Sequence, residues 1–217
     1  MQVSVNKIHE WNIPLWQSLT ERLETLSHGM LFTGTAGVGK VQFAEQFAAW
    51  LLCESADKAK ATSACGHCTS CQLLSSGNHP DIRLLTLDEE EEDEDGEAKT
   101  SKTKKPSTQI KIDQVRALED FVNVGSHRKG ARIVLIHPAE AMNLAAANSL
   151  LKMLEEPSPG VYFILVSSNI RRLLPTMLSR CRKVVFGMPD AAIATAWLKA
   201  EGVKNPEKLL PLVGGAP

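Results

Sequence analysis

An α/β fold built on a parallel sheet is predicted by three observations. The run Gly34-Thr35-Ala36-Gly37-Val38-Gly39-Lys40 is a glycine-rich phosphate-binding loop, a motif that joins a strand to the helix after it. Gly29 to Thr33, Ala131 to Ile136 and Val161 to Val166 are short, continuously apolar runs, the character of strands covered on both faces. Segments with helical periodicity lie between them, so strands and helices alternate as a parallel sheet requires.

The 217 residues can hold one α/β domain and a small appendage. No apolar run reaches membrane-spanning length, and the first twenty residues lack the basic and apolar regions of a secretory signal. A cytoplasmic protein is expected. The net charge of −1 conceals nine acids within Asp88 to Glu97; taking nine negative charges from −1 leaves +8. So basic a remainder suits contact with phosphate, although a solvated basic surface is the commoner explanation of such an excess.

Pro14 to Leu26 carries Leu15, Leu19, Leu23 and Leu26 at helical spacing, predicting an amphipathic helix before the first strand. Lys40 to Leu52 predicts the helix of the phosphate loop. The loop departs from its pattern at Val41, which stands where a Ser or Thr hydroxyl would ligate Mg²⁺. Poor binding, binding without hydrolysis and a retained scaffold all fit that change.

Cys53, Cys65, Cys68 and Cys71 follow, spaced C-x11-C-x2-C-x2-C. Four thiolates close a tetrahedral shell on Zn²⁺, and x2 spacings let a tight loop turn its sulfurs to one centre. With no open position the metal would be structural. Free thiols, disulfides and an iron–sulfur cluster are the other readings, and His67 and His79 are spare ligands read as bystanders.

Asn78 to Leu85 reads as a turn and a strand. Residues 88–108, acidic and then lysine-rich, cannot bury enough apolar surface to order themselves and are expected to form a disordered insertion. A helix follows, with Asp113 as cap and Ile112, Val115, Leu118 and Val122 inward. The strand ending at Ile136 is where a P-loop ATPase carries the acidic pair that serves Mg²⁺; His137-Pro138 stands there, and Glu140 lies in the following turn or helix. A hydrolase without that pair is expected to be slow or dead. The helix over Asn143 to Glu156 is expected to turn Leu144, Ala147, Leu151 and Leu154 inward.

The ordered set Asn148-Ser149-Leu150-Leu151-Lys152-Met153-Leu154-Glu155-Glu156-Pro157, Phe163-Ile164-Leu165 and Leu178-Ser179-Arg180-Cys181, with the four-cysteine module after the P-loop helix, resembles the clamp-loader subunits of bacterial replicases, AAA+ proteins. The match runs along nearly the whole chain. Val41 and His137-Pro138 are similar to the pattern of the family's non-hydrolysing member, as are His79-Pro80-Asp81 and Ile112-Asp113.

The resemblance implies an AAA+ domain over 1–187 with a zinc module at 53–71, and a helical lid beginning at 188. It implies a subunit without its own ATPase or polymerase activity, within a DNA-directed DNA polymerase complex. Its partners would be the ATPase subunit and delta, the sliding clamp and primer-template DNA. Arg180 would act as an arginine finger in the neighbour's ATP site, whereas the residues alone favour a surface arginine at a helix end. Gly34, Gly37, Gly39 and Lys40 remain candidates for nucleotide, with no Mg²⁺ site expected. The family's collar does not follow Pro217, so the chain reads as an amino-terminal fragment, monomeric alone.

Ser167 and Ser168 close a strand where related ATPases sense γ-phosphate, and are read as satisfying backbone groups. Arg128, Lys129, Arg171 and Arg172 are candidates for DNA or partner contact, and Cys181 for a small buried residue. Two rival functions stay open. One is an active P-loop ATPase or nucleotide kinase in which Glu140 or Asp81 takes the metal; the other is a zinc-ribbon nucleic-acid binder.

Overall fold

A computed structural model describes residues 8–21, 23–55, 63–87, 107–126 and 130–217. Five parallel strands form its sheet: β1 Gly29–Thr33, β2 Ile82–Leu85, β3 Arg132–Ile136, β4 Val161–Ser167 and β5 Arg182–Val185, in the order β2-β3-β4-β1-β5. Alternate residues of each strand enter opposite cores. Met30, Phe32, Ile133, Leu135, Ile164, Val166 and Val184 enter one, with α1 (Ile13–Thr20), α2 (Lys40–Leu52) and α3 (Thr69–Ser75). Leu31, Val134, Ile136, Phe163 and Leu165 enter the other, with α4 (Ile112–Asn123), α5 (Leu144–Glu155) and α6 (Pro175–Arg180). Helices on both faces explain why the central strands are apolar throughout. α7 (Ala191–Ala200), α8 (Pro206–Leu209) and a 3-10 turn over Leu210–Val213 follow the last strand.

Aromatic packing is concentrated under α2. Trp16, Phe32, Phe43, Phe47, Trp50 and Phe186 meet in mostly edge-to-face pairs 5.0–6.4 Å apart, the geometry that the ring quadrupole favours. This cluster holds the start of α2 rigidly against β1, and so fixes the loop between them.

Several expected details are corrected. The first helix stops at Thr20, and Leu23 lies in a 3-10 turn, 38% exposed; Trp16 and Leu19 are its buried residues. Asp113 is not the cap of α4: Lys111 is, its N–H given to Gln114 Oε1 at 2.7 Å. In α5 the inward face is Ala146, Ala147, Leu150, Met153 and Leu154, whereas Leu144 is 65% exposed. Its cap, Asn143, accepts the Ala146 N–H at 2.8 Å, which places Leu144 in the first turn, outside the apolar stripe. The expected insertion lies outside the described residues over 88–106; Ser107 Oγ donates to the Gln109 carbonyl.

Candidate functional site

Cys53 follows α2, Cys65 sits in the loop beyond, Cys68 caps α3 and Cys71 lies in its first turn. The four sulfurs lie within 4.8 Å of one another, with Cys53 to Cys68 at 4.0 Å and Cys65 to Cys71 at 3.9 Å. Tetrahedral Zn–S bonds of about 2.3 Å require sulfurs about 3.8 Å apart, so the cluster fits. Backbone N–H groups are aimed at three sulfurs: Ser55 and Cys65 at Cys53, Cys68 at Cys65, and Cys71 at Cys68, all at 3.3–3.4 Å.

These donors favour thiolates, the form a metal takes. Burial pushes the Cys65 thiol up, but backbone N–H groups of His67 and Cys68 and the neighbouring thiols outweigh it and bring it down to about 6. Burial pushes the Cys53 and Cys71 thiols up, the cost of an anion that has no cation beside it; a divalent ion inverts that balance. The cluster can therefore hold a metal ion such as zinc. His67 is exposed, hydrogen-bonded to the Cys65 carbonyl, and Cys181 is buried beside Gly29 in the core on the opposite face of the sheet. Neither belongs to the cluster. His79 is buried and hydrogen-bonded to Ser70.

The phosphate loop lies at the C-terminal end of β1. Gly39, at φ +85°, caps α2, and a Cβ there would stand 2.6 Å from the His9 ring. Gly37, at φ +86°, packs under Ala216, whose Cβ would be 3.0 Å from an added one; Gly34 lies against the Phe186 carbonyl. Lys40 is 4% exposed and donates to the Gly34 and Thr35 carbonyls at 2.9 and 2.6 Å. Trp11 Nε1 and Asn12 Nδ2 both donate to the Val38 carbonyl at 3.2 Å, and His9 stacks on Trp11 4.4 Å away while Trp197 of α7 meets both edge-on. Segments that precede and follow the sheet in the chain thus close over the loop. Val41 packs against the aromatic core.

At the end of β3, burial lowers the His137 pKa, with the Val166 backbone and Glu140 opposing and Lys40 assisting; burial also lowers that of Lys40, and Glu140 opposes. The Glu140 charge acts on both groups. It lies in a 3-10 turn, where Oε1 accepts the Ser168 N–H at 3.0 Å and buried Oε2 has no hydrogen-bond partner among the described residues. Ser167 Oγ accepts the Asn169 N–H, as expected of it, whereas Ser168 engages Glu140 through its own backbone N–H. Asp81 is corrected as a metal ligand. It precedes β2, at the sheet end opposite the loop, 1% exposed, paired with buried Arg132 at 3.3 Å and accepting from Ser126.

Arg180 is the last residue of α6, held by Glu155 at the end of α5 and by the Thr176 carbonyl at 3.0 Å. Its carbonyl lies beside Gly29, the first residue of β1, and the phosphate loop follows the last. Five residues of strand, about 16 Å, separate them. Arg171 and Arg172 are exposed in a 3-10 turn, while Arg128 and Lys129 lie outside the described residues.

Sheet order, loop and helices define a P-loop protein of the AAA+ class. A solved structure of a DNA polymerase III gamma subunit-related protein from Thermotoga maritima shares this fold with a TM-score of 0.55 and 22% identity, over 93% of this chain and 54% of that one. A family model described as DNA polymerase III, delta subunit matches residues 12–190, and the chain belongs to that family. It is 42% identical to DNA polymerase III subunit delta' of Pseudomonas aeruginosa, over 97% of this chain and 59% of that protein. It is 31% identical to the subunits of that name from Haemophilus influenzae (94% and 57% covered) and Escherichia coli (84% and 49%). The chain spans roughly half to three fifths of the length of these relatives.

Proposed function

We propose that the chain works as a delta-prime type subunit of a DNA polymerase III clamp loader, a ring member that does not hydrolyse ATP and lends Arg180 to the ATP site of the adjacent ATPase subunit. The observation that carries this reading is the placement of Arg180 at the sheet end opposite the chain's own phosphate loop, from which it cannot reach that loop. A partly exposed ion pair such as Arg180–Glu155 is worth roughly 1 kcal/mol or less, so a phosphate oxygen can replace Glu155. At a γ-phosphate the guanidinium would neutralise transition-state charge, and supplying it in trans makes hydrolysis depend on assembly.

The chain's own loop suits a scaffold. Val41 offers no hydroxyl, His137-Pro138 no acidic pair, and Lys40 is engaged by carbonyls of the loop. The cysteine module would hold one structural zinc, linking the end of α2 to α3, and residues from 188 onward would begin the lid. Delta, the sliding clamp and primer-template DNA complete the partners in this reading. In a reconstituted loader, Arg180→Ala is expected to abolish DNA-stimulated hydrolysis at the neighbouring site, and unchanged hydrolysis and clamp loading would overturn the assignment.

One observation favours a second reading, in which the chain is itself an ATPase or nucleotide kinase: Glu140 Oε2 is buried without a partner among the described residues, and the Glu140 charge acts on Lys40. Mg²⁺-dependent turnover by the isolated chain, lost in both Lys40→Ala and Glu140→Gln, would establish it.

A further inference from the structure

The cysteine module is joined to the sheet by buried hydrogen bonds whose direction is fixed. His79 Nδ1 accepts the Asp81 N–H at 3.0 Å; a backbone N–H can only donate, so in the neutral ring the proton sits on Nε2. That proton goes to Ser70 Oγ at 2.6 Å, and Ser70 sends its own to the Leu52 carbonyl at 2.7 Å. His79 is 4% exposed and Ser70 1%. At the far end, Asp81 accepts from Arg132 and Ser126.

Both ends of the Ser70 to Leu52 bond lie on the cysteine cluster. Leu52 closes α2 and immediately precedes Cys53; Ser70 stands between Cys68 and Cys71. Cys65, Cys68 and Cys71 share one tight loop and turn, whereas Cys53 arrives from another element, so the closing of the shell depends on how α2 is set against α3. Ligand distances in such a shell are held to about 0.2 Å. A drift of α2 too small to unfold the protein would open it.

We propose that Ser70 and His79 are positioning residues of the four-cysteine centre: Ser70 fixes the distance of Cys53 from Cys68 and Cys71, and His79 fixes Ser70. The proposal rests on the reading of the cluster as a zinc site. It gives His79 a part in metal binding without placing it among the ligands.

The test is zinc affinity of the full chain by competition with a chromophoric chelator, with thermal unfolding of the metal-free form alongside. Ser70→Ala and His79→Ala should weaken zinc 10- to 100-fold, the range for groups that orient metal ligands. His79→Gln, which keeps an N–H donor for Ser70, should recover affinity to within a few-fold of wild type. With Co²⁺ as the probe, wild type should show the absorption of a tetrahedral thiolate site, and Ser70→Ala should distort it. Unchanged affinity and an unchanged Co²⁺ spectrum would overturn the proposal, even with lower unfolding midpoints. His79→Gln as weak as His79→Ala would remove His79 from it. If one alanine variant fails to fold, affinity in the other and in His79→Gln decides. A wild-type chain with four free thiols and no zinc would instead overturn the metal reading, and this proposal with it.

Discussion

Asp81→Asn removes a charge from the most buried ion pair of the described residues and nearly nothing else. Arg132 is 3% exposed, its guanidinium 4.3 Å over the Phe121 ring and donating also to the Phe121 and Val124 carbonyls. Without the carboxylate charge the guanidinium stays buried and under-compensated, a loss of about 3–5 kcal/mol. For a chain of this size each kcal/mol lowers the midpoint by about 2–4 °C, so a fall of roughly 6–20 °C is expected. Asp81→Leu with Arg132→Met should recover only part of it, because the Phe121 and Val124 carbonyls lose their donor, at about 1–3 kcal/mol for each left unsatisfied. Thermal and urea unfolding measure both. Nucleotide binding by the folded Asp81→Asn chain should match wild type, since the residue lies at the opposite sheet end. A variant within 1 °C of wild type, or one folded but altered in nucleotide binding, would refute the reasoning.

Purified chain should carry about one zinc, and Cys68→Ser should release it; elemental analysis decides. Stability should fall as pH drops through about 6.5, the ordinary histidine value: burial lowers His9 and His137 in the folded state, so the unfolded chain binds more protons there and acid favours unfolding. Replacing both by Asn should flatten that fall in urea midpoints measured from pH 8 to 5.5. Gly39→Ala should cost about 1–3 kcal/mol through its φ of +85° and displace the His9 ring; a midpoint equal to wild type would contradict the described closure over the loop.

The fold was legible wherever a local pattern carried it. β1, β3 and β4 announce themselves because both faces are covered, and the phosphate loop and the cysteine set because their chemistry needs fixed spacing. β5 was not, because an edge strand with Arg182, Lys183 and exposed Val185 has no apolar run. Leucine spacing misled twice, at Leu23 and Leu144, because caps and 3-10 turns set where a helix begins and ends. The pairing of Asp81 with Arg132, fifty-one positions apart, and the hold of Trp11 and Asn12 on Val38 are tertiary facts with no local signal. For His79 a weak signal existed: a histidine just beyond a metal motif is a candidate for orienting ligands as well as for joining them.

The central claim, a chain whose own phosphate loop is a scaffold and whose arginine serves a neighbour, is tested most directly by comparing Lys40→Ala with Arg180→Ala in a reconstituted loader with the other ATP sites disabled. Arg180→Ala is predicted to lower DNA-stimulated hydrolysis about 10³-fold or more, and Lys40→Ala to leave it within about twofold of wild type. Hydrolysis lost in Lys40→Ala and kept in Arg180→Ala would contradict the account.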